Sequence, residues 1–492
     1  MNNKLPTGFF GRAAIVLCFF VCYVHTIAQV PQPLRLFLQK PALQGASVSF
    51  MVKEVGSGDV LYCYDTEREM TPASVMKTVT TATALELLGE DFCFETSILY
   101  DGEIREGILN GNLYIYGSGD PTLNSSELET VKDSILVLWT LAIQEAGIQR
   151  IAGRVIADES IFDTEGVSMK WMREDLGSGY GQGSYGLNFF DNQYTLYLRT
   201  GASGTQPVLL GTEPAMPNLT FYNYLKISPI PSDSTYIVGS PFSNERYLYG
   251  VMRTNQNRAS MRGDIPDPAL SLAKYFSDYL INNGIGVDIA PSCHRILTQL
   301  GEWKNTSRHK LLTTYSPPLK EIVRITNFVS HNMYADALLK TLGLQFQSNH
   351  PEVASSFEKG SIIIKDYWKK KGLNTTSLRI FDGSGLAITN KVTVEFLCDM
   401  YIYMATQSNM SGCFIGSLPQ PGLDGTVRNF LRGSSLQGKT RLKSGSMSWV
   451  QCFGGYITKD GKQYAVALLI NNFSGRSNLL RGNIEALLLS LF

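Results

Sequence analysis

A serine and a lysine in the first fifth of the chain have the spacing that nucleophilic catalysis requires. In Ser74-Val75-Met76-Lys77, which lies at the start of a predicted helix, the two side chains share one face with Cβ atoms roughly 5–6 Å apart. A lysine that its surroundings hold neutral can take the proton of a serine hydroxyl. The helix N-terminus also favours an anion that forms there. The segment therefore predicts Ser74 as an activated nucleophile and Lys77 as its base.

The spacing is weak evidence by itself, because Ser-x-x-Lys occurs four times in the chain. Only Ser74 begins a strongly apolar helix, rich in threonine and alanine, that could be buried. A Ser-His-Asp triad is disfavoured because no Gly-x-Ser-x-Gly motif precedes a predicted helix. The other three pairs lie in more polar surroundings that predict solvated surfaces: Ser271 and Lys274, Ser307 and Lys310, and Ser356 and Lys359.

Two later motifs could complete such a site. The motif Ser330-His331-Asn332 begins another helical stretch, and its serine and asparagine can point into one cleft; an ordinary helix N-cap is the alternative. The motif Lys443-Ser444-Gly445-Ser446 contains the only Lys-[Ser/Thr]-Gly in the chain and precedes a predicted strand pair. A lysine and a hydroxyl on an edge strand suit a substrate carboxylate, and the glycine permits close approach of the backbone. The alternative is a solvated turn before a strand.

These motifs lie on elements from both ends of the chain. Alternating residues around a Gly56-Ser57-Gly58 turn predict a β-hairpin, and the Asp460-Gly461 turn predicts a second one. The sequence therefore predicts an α/β (α+β) fold, in which an antiparallel sheet from both chain ends encloses a helical cluster and carries a β-rich insertion. The predicted helices are Thr71–Leu88, Ser126–Glu145, Pro268–Asn283, Pro318–Leu342, Glu352–Lys371, Thr393–Thr406 and one that begins at Asn478.

Composition excludes several classes of protein. The chain has 492 residues, of which 44% are hydrophobic and 17% charged, as is typical of a globular protein. This length corresponds to roughly two to four domains. Its 43 basic and 43 acidic residues leave no positive excess for a sequence-independent nucleic-acid binder. Five histidines disfavour a histidine-rich metal site, so we expect neither a nucleic-acid partner nor a metal.

Residues 1–28 predict a secretory signal peptide. Lys4 and Arg12 accompany an apolar run, Ala13–Val24, and Thr26-Ile27-Ala28 supplies a cleavage site. The run is too short to span a bilayer; an uncleaved anchor is the alternative. No other stretch approaches about 18 apolar residues, so we expect no transmembrane span after cleavage. Six cysteines remain, match no zinc pattern and are expected to be free thiols: Cys63, Cys93, Cys293, Cys398, Cys413 and Cys452.

The order of the three motifs resembles that of penicillin-binding proteins and serine β-lactamases. Ser74 and Ser330 are 256 residues apart, much farther than in compact β-lactamases. Over nearly its whole mature length the chain is similar to the S13 peptidases, the D-alanyl-D-alanine carboxypeptidase/endopeptidase family typified by penicillin-binding protein 4, which carries extra domains in that gap. Other stretches that carry this resemblance are Gly117–Pro121, Tyr185-Gly186, Tyr315–Leu319, Asp382–Leu386, Ser417–Pro419 and Gly422–Thr426.

The resemblance implies a domain organisation and a location. A transpeptidase-like catalytic domain of the β-lactamase type would consist of residues 29–94 and 303–492. Two β-rich domains would be inserted between them, over residues 95–302. The enzyme would be secreted or periplasmic and would use no cofactor. Its partners would be peptidoglycan stem peptides that end in D-Ala-D-Ala, with β-lactams as covalent inhibitors.

The resemblance also implies a catalytic role for four matching residues. Ser74 would attack the carbonyl of the penultimate D-alanine and form an acyl-enzyme, while Lys77 takes its proton. Ser330, tuned by Lys443, would relay a proton to the leaving D-alanine nitrogen. Water would then release the shortened peptide.

Four further residues would bind the substrate. Asn332 would hydrogen-bond its backbone and Ser444 its terminal carboxylate, while Gly445 lets the strand approach closely. Backbone N–H groups of Ser74 and Ser446 would form the oxyanion hole, where the loss of one donor costs about 10²–10³ in rate.

Two residues depart from the family pattern. His331 stands where the family usually has aspartate, which can shift the local pH response. Ser444 stands where threonine is usual, but the hydroxyl is kept, so we expect activity to survive. The alternative functions are a β-lactamase, for which the sequence identifies no deacylating base, and a peptidoglycan-binding scaffold with weak catalysis. The intact motif residues argue against the scaffold.

Overall fold

The computed structural model describes residues 30–129, 131–345 and 352–492 of the chain. The predicted signal peptide lies outside these residues. Within them, the apolar helices are all too short to cross a membrane.

A five-stranded antiparallel sheet, here called the central sheet, combines strands from both ends of the chain. Its order is Thr440–Met447, Val450–Lys459, Lys462–Asn471, Ser47–Glu54 and Val60–Tyr64. The N-terminal strand pairs with the last strand over its full length, from Ser47 opposite Asn471 to Glu54 opposite Tyr464. The predicted sheet and both predicted hairpins are confirmed.

Helices cover both faces of the central sheet because alternate residues of its strands are apolar on each side. Phe50 and Val52 face one side, where they pack with Leu34 and Ile484 of the terminal helices. Met51 faces the other side, which the remaining helices of this unit cover. Burying each such side chain stabilises the fold by about 1.5–3 kcal/mol. The terminal helices are Gln32–Leu38 and Ser477–Leu491, and those of the other face are Met76–Leu88, Leu319–Phe328, Asn332–Gln345, Ser356–Lys370, Val394–Thr406 and Ser411–Ser417.

The helix that follows Ser74 begins later than predicted. Residues Ala73–Val75 form a 3₁₀ turn and the α-helix covers Met76–Leu88. Ala73 has a left-handed φ of 46°, which a residue with a Cβ rarely adopts. A pair of hydrogen bonds holds the segment just before it, from Thr71 N to Asn471 Oδ1 (2.8 Å) and from Asn471 Nδ2 to Thr71 O (3.0 Å). Asn471 therefore fixes this turn to the end of the central sheet.

The predicted helix Pro318–Leu342 is wrong as a single element. The structure has two helices, Leu319–Phe328 and Asn332–Gln345, with a break at Ser330, whose φ is 63°. A left-handed residue cannot continue a right-handed helix, so the chain turns there. The apolar periodicity runs across the break, which is why the sequence pattern did not reveal it.

The described residues of the segment between the two chain ends that form the central sheet contain four further sheets and three hydrophobic clusters. Strand His309–Tyr315 pairs with Glu95–Tyr100, so this sheet continues past residue 302, the predicted end of the insertion. The helix predicted from Ser126 begins at Ser134, and Arg150–Ile151 and Val155–Asp158 are two separate short strands.

The strands and helices of this segment are as follows. The five-stranded sheet consists of Ser292–Cys293, Val155–Asp158, Leu113–Gly117, Glu95–Tyr100 and His309–Tyr315, and a four-stranded sheet of Gly286–Val287, Arg150–Ile151, Ile108–Asn110 and Glu103–Arg105. The three-stranded sheet consists of Val208–Glu213, Gln193–Arg199 and Ala259–Asp264, and a second four-stranded sheet of Thr220–Asn223, Glu245–Met252, Lys226–Ile227 and Ser234–Val238. The helices are Ser134–Glu145, Pro268–Asn282 and His294–Gln299.

Candidate active site

Ser74 and Lys77 lie together where the 3₁₀ turn meets the first long helix. Lys77 Nζ lies 3.0 Å from Ser74 Oγ. Lys77 is fully buried, whereas Ser74 is partly exposed to the cleft. Two other acceptors surround Lys77 Nζ, Asn332 Oδ1 at 2.6 Å and Ser384 O at 2.7 Å. When Lys77 is neutral, its two N–H bonds satisfy these acceptors and its lone pair faces the Ser74 hydroxyl.

Burial makes the neutral form of Lys77 accessible. Removal of the ammonium from water lowers the pKa of Lys77 to about 8, although the carboxylates of Asp336 and Asp382 oppose the shift. At a pKa of about 8, roughly a tenth of the molecules carry a neutral lysine at pH 7. Lys77 therefore has the protonation behaviour of a general base near neutral pH.

A loop at residues 382–386 provides the third partner of Lys77. Asp336 Oδ1 accepts hydrogen bonds from the N–H groups of Gly383 (2.8 Å) and Ser384 (3.0 Å). Asp382 accepts a hydrogen bond from Gly385 N (2.7 Å) and so orients the same loop. Sequence reasoning missed Asp336, because an acidic residue inside a helix gives no signal that it binds a distant loop. Burial and the Asp382 charge hold the pKa of Asp336 well above its ordinary value.

Ser330 and Lys443 form a second serine–lysine pair. Lys443 Nζ donates to Ser330 Oγ (2.9 Å) and to Ser444 O (2.7 Å). Lys443 is fully buried, and its burial together with the positive charge of Lys77 holds its pKa well below the ordinary range. The break in the helix at Ser330 is what turns this hydroxyl towards Lys443. With its lowered pKa, Lys443 holds no permanent positive charge, and the Ser330–Lys443 pair can pass a proton.

Asn332 connects three parts of the molecule. Its Oδ1 accepts from Lys77, and its Nδ2 donates to Tyr180 O at 2.7 Å. Tyr180 belongs to the Gly- and Ser-rich loop of residues 175–186, within the segment predicted as an insertion. The amide of Asn332 therefore joins Lys77 to the inserted segment. The sequence gave no indication that Tyr180 belongs to the site.

The edge strand Thr440–Met447 passes directly beside the turn that carries Ser74. A Cβ added at Gly445 would lie 2.6 Å from Pro72 O and 2.9 Å from Ser74 N, so only glycine fits there. Ser444 Oγ is 3.0 Å from Thr426 Oγ1, which gives the cleft a pair of hydroxyls. Ser446, the next residue towards solvent, is exposed.

A cavity of about 1040 Å³ opens beside the second motif. Ser330, His331 and Asn332 line one side of it, and residues of the inserted segment, including Tyr180 and Arg262, line the other. The cleft is therefore bounded by both parts of the molecule.

The eight residues predicted for the site lie on three elements that contact one another, and two of the eight, Ser330 and Asn332, line the cavity. The direct contacts join Ser74 to Lys77, Lys77 to Asn332, and Ser330 to Lys443. The other Ser-x-x-Lys pairs lie elsewhere: Ser271 and Lys274 on helix Pro268–Asn282, Ser307 and Lys310 on an exposed segment, and Ser356 and Lys359 on helix Ser356–Lys370.

His331 is buried and neutral. Its Nε2 lies 3.7 Å from Asp191 Oδ1, and its ring packs on Tyr334 with 4.3 Å between the ring centroids. Burial is the main cause that lowers the pKa of His331 to about 4; Asp191 opposes the shift and Lys77 adds to it. At neutral pH the position usually occupied by aspartate therefore carries no charge.

Acid should destabilise this protein more than a His331→Asn variant. In the unfolded chain the imidazole titrates near its ordinary pKa of about 6.5, but in the fold it stays neutral down to about pH 4. Between these values the unfolded chain binds one more proton, so the free energy of unfolding falls as the pH falls. The loss specific to His331 is at most about 3 kcal/mol.

Urea unfolding midpoints at pH 4.5 and pH 7 check this expectation. The exposed His309 provides a matched His309→Asn control, which should lose as much stability on acidification as the wild type. Equal losses in the wild type and in His331→Asn would contradict a buried, neutral His331.

The chain is similar to known proteins in both sequence and fold. A model of the D-Ala-D-Ala carboxypeptidase 3 (S13) family matches residues 31–487. A D-alanyl-D-alanine carboxypeptidase from Actinomadura sp. (strain R39) is 25% identical over 470 residues, which cover 92% of this chain and 83% of that protein.

Solved structures of penicillin binding protein 4 from Haemophilus influenzae have the same fold. One has a TM-score of 0.77 and 21% identity, and covers 93% of this chain and 98% of that chain. The same protein complexed with a β-lactam has a TM-score of 0.74 and 20% identity, and covers 94% of this chain and 98% of that chain.

Proposed function

Because the chain belongs to the D-Ala-D-Ala carboxypeptidase 3 (S13) family, we propose that Ser74 is the nucleophile with which it cleaves peptidoglycan stem peptides. The observation that carries the proposal is the environment of Lys77. This lysine is buried, has a lowered pKa, and has two of its three partners supplied by Asn332 and Ser384, so that its lone pair is left for Ser74.

Acylation follows from this arrangement. The Ser74 hydroxyl attacks the carbonyl carbon of the penultimate D-alanine, and Lys77 Nζ takes its proton as the Oγ–C bond forms. Negative charge develops on the carbonyl oxygen, which the backbone N–H groups of Ser74 and Ser446 stabilise. The close approach of Gly445 to Ser74 N supports the placement of both donors on one side of the substrate.

The leaving group needs a proton. As the C–N bond breaks, Ser330 gives its hydroxyl proton to the nitrogen of the terminal D-alanine and takes up the proton that Lys77 removed from Ser74, while Lys443 holds Ser330 Oγ in place. The 2.9 Å contact between Ser330 Oγ and Lys443 Nζ supports this relay. Free D-alanine and an ester on Ser74 are the products of this half-reaction.

Deacylation uses water in the place of the leaving amine. A water molecule attacks the ester carbonyl and gives a proton to Lys77 Nζ, which passes it to Ser74 Oγ as the C–O bond to Ser74 breaks. This step releases the shortened peptide and restores the free hydroxyl and the neutral lysine.

Substrate binding would draw on the remaining residues. The Ser444 hydroxyl, with Thr426 beside it, suits the terminal carboxylate. Asn332 donates to Tyr180 O in the absence of substrate, so a substrate carbonyl would replace that acceptor. The inserted loop would therefore respond to occupation of the cleft.

The proposed substrate also defines where the enzyme works and what inhibits it. Peptidoglycan lies outside the cytoplasmic membrane, so we propose a secreted or periplasmic location. A penicillin would acylate Ser74 in the same way, since its β-lactam carbonyl occupies the position of the D-alanine carbonyl. The proton would go to the ring nitrogen, and the whole drug would remain attached.

Intact-mass spectrometry after brief exposure to a penicillin tests the proposal. We expect one adduct per chain that equals the mass of the drug, maps to Ser74 and decays slowly after the drug is removed. Release of D-alanine from a soluble stem pentapeptide should accompany it. Rapid loss of the drug with no adduct would instead identify a β-lactamase. An intact drug with no adduct would identify a scaffold without catalysis.

A further inference from the structure

Five tyrosines lie on one face of the second four-stranded sheet of the inserted segment. The sheet pairing places Tyr222 opposite Tyr247 and Tyr236 opposite Tyr249, and Tyr224 lies beside Tyr249. Because side chains alternate along a strand, all five rings stand on the same side. We call these five residues the tyrosine row.

The rings of the tyrosine row stack in two files. Tyr222 and Tyr247 have centroids 4.9 Å apart, with planes 15° from parallel. Tyr249 lies between Tyr224 (5.3 Å, 12°) and Tyr236 (5.6 Å, 26°). The side chains of Tyr224 and Tyr236 are 54% and 51% exposed, so each end of the longer file presents a ring to solvent.

The tyrosine row is not part of the hydrophobic core of this segment. The hydrophobic core lies on the opposite face of the same sheet, where Leu225, Ile237 and Leu248 are buried. Large exposed aromatic surfaces on soluble proteins mark binding sites. Tyrosine suits a partner that is apolar on one side and hydroxylated on the other, because the ring packs and the hydroxyl hydrogen-bonds.

The negative charge beside the tyrosine row limits the class of partner that the row can bind. The side chain that binds the ring hydroxyls is acidic: Glu245 accepts hydrogen bonds from Tyr247 (2.8 Å) and Tyr222 (3.3 Å). A carboxylate at this position disfavours an anionic partner such as a nucleic acid. Pyranose rings have apolar C–H faces for stacking and hydroxyls for hydrogen bonding, so an uncharged polysaccharide fits.

The tyrosine row is continuous with the catalytic cleft. Tyr236 lies on strand Ser234–Val238, and residues 235–237 of this strand line the same cavity as Ser330 and Asn332. A long chain that lies on the row can therefore send a side branch into the cleft.

We propose that the tyrosine row binds the glycan strand of peptidoglycan while the attached stem peptide occupies the active site. The inference rests on the proposed function for the identity of the polymer. A second copy of the chain is a poorer occupant, because five partly exposed rings bury at most about 500 Å². A standard interface needs about 800 Å² on each partner.

Cosedimentation with glycan strands from which an amidase has removed the stem peptides, and whose freed lactyl carboxylates have been converted to amides, tests the proposal. The wild type should sediment with this material, and a Tyr222→Ser/Tyr224→Ser double variant, neither residue of which lines the cavity, should bind at least about tenfold more weakly. Tyr315 is also exposed, at 64%, but lies outside the row, so Tyr315→Ser is the matched control and should bind like the wild type.

Separate readouts distinguish this proposal from the catalytic one. The double variant should form the penicillin adduct and release D-alanine from a soluble pentapeptide at the wild-type rate, while release from intact sacculi falls about tenfold. Normal adduct formation also shows that the variant is folded. Undiminished glycan binding by the double variant would overturn the proposal, as would wild type that fails to sediment with stripped glycan. A change in oligomeric mass with unchanged glycan binding would identify a contact between copies instead.

Discussion

Ser74→Ala should abolish both the penicillin adduct and the release of D-alanine. Removal of the nucleophile from a serine hydrolase costs on the order of 10⁶ in kcat, because the covalent route is lost as a whole. The alanine side chain is smaller and apolar, and Ser74 is partly exposed, so we expect the variant to fold. Intact mass and a D-alanine assay measure the two activities.

Ser271→Ala is a matched control for this substitution. Ser271 is also followed by a lysine three residues later, but it lies on helix Pro268–Asn282 of the inserted segment. We expect the adduct and the peptidase rate to be unchanged in this variant. An adduct that persists in Ser74→Ala, or that maps to a different serine, would show that the nucleophile is assigned wrongly.

Lys77→Met should slow acylation by about 10²–10⁴, the usual contribution of a general base. Methionine fills the buried space of the lysine stem without its amine, which limits the cavity that alanine would leave. In the wild type, the acylation rate at low drug concentration should rise with pH and level off above about pH 8, since only the neutral lysine can take the proton. Stopped acylation time courses from pH 6 to pH 9 measure this profile.

The pH profile separates a base from a structural lysine. If Lys77 only orients Ser74, the ammonium serves as well as the amine and the wild-type rate stays level between pH 6 and pH 9. In Lys77→Met the residual rate should lose its dependence on pH over this interval. A rise that remains at about pH 8 in the variant would assign the titration to another group.

The sequence predicted the parts of the site that short motifs encode. Ser74 lies in the 3₁₀ turn directly before the helix that carries Lys77, and the predicted contact between the two side chains is present. The order of the three motifs led to a family that the family model then confirmed. The antiparallel sheet was also predictable, since its strands alternate and its hairpins have Gly-rich or Asp-Gly turns. Each single motif and each hairpin turn that gave these predictions lies within about ten residues of the chain.

Contacts between distant segments were not predictable in this way. Tyr180 reaches Asn332 through its backbone carbonyl, so its side-chain type is irrelevant to the contact. Asp336 binds the 382–386 loop through one carboxylate oxygen, which no local pattern encodes. The helix break at Ser330 depends on a left-handed φ that serine adopts only because tertiary contacts impose it.

The inserted segment also contributes directly to the site, which the 256-residue separation of Ser74 and Ser330 in the sequence did not indicate. Its loop accepts a hydrogen bond from Asn332, and its sheet wall bounds the cavity beside Ser330. Its predicted boundary at residue 302 came from the family resemblance, whereas the pairing of His309–Tyr315 with Glu95–Tyr100 is a property of the fold. The sequence does not record which strands are neighbours in a sheet.

The paired hydrogen bonds between Thr71 and Asn471 have a consequence for the nascent chain. These residues are 400 positions apart, and the bonds fix the turn that carries Ser74. A ribosome that adds about 5–20 residues per second needs about 20–80 s to synthesise that interval. Until the last strand emerges, the serine has no completed sheet against which to be positioned. We therefore expect peptidase activity only after the strand that carries Asn471 has been synthesised, and a product truncated before it would contain Ser74 without the sheet that positions it.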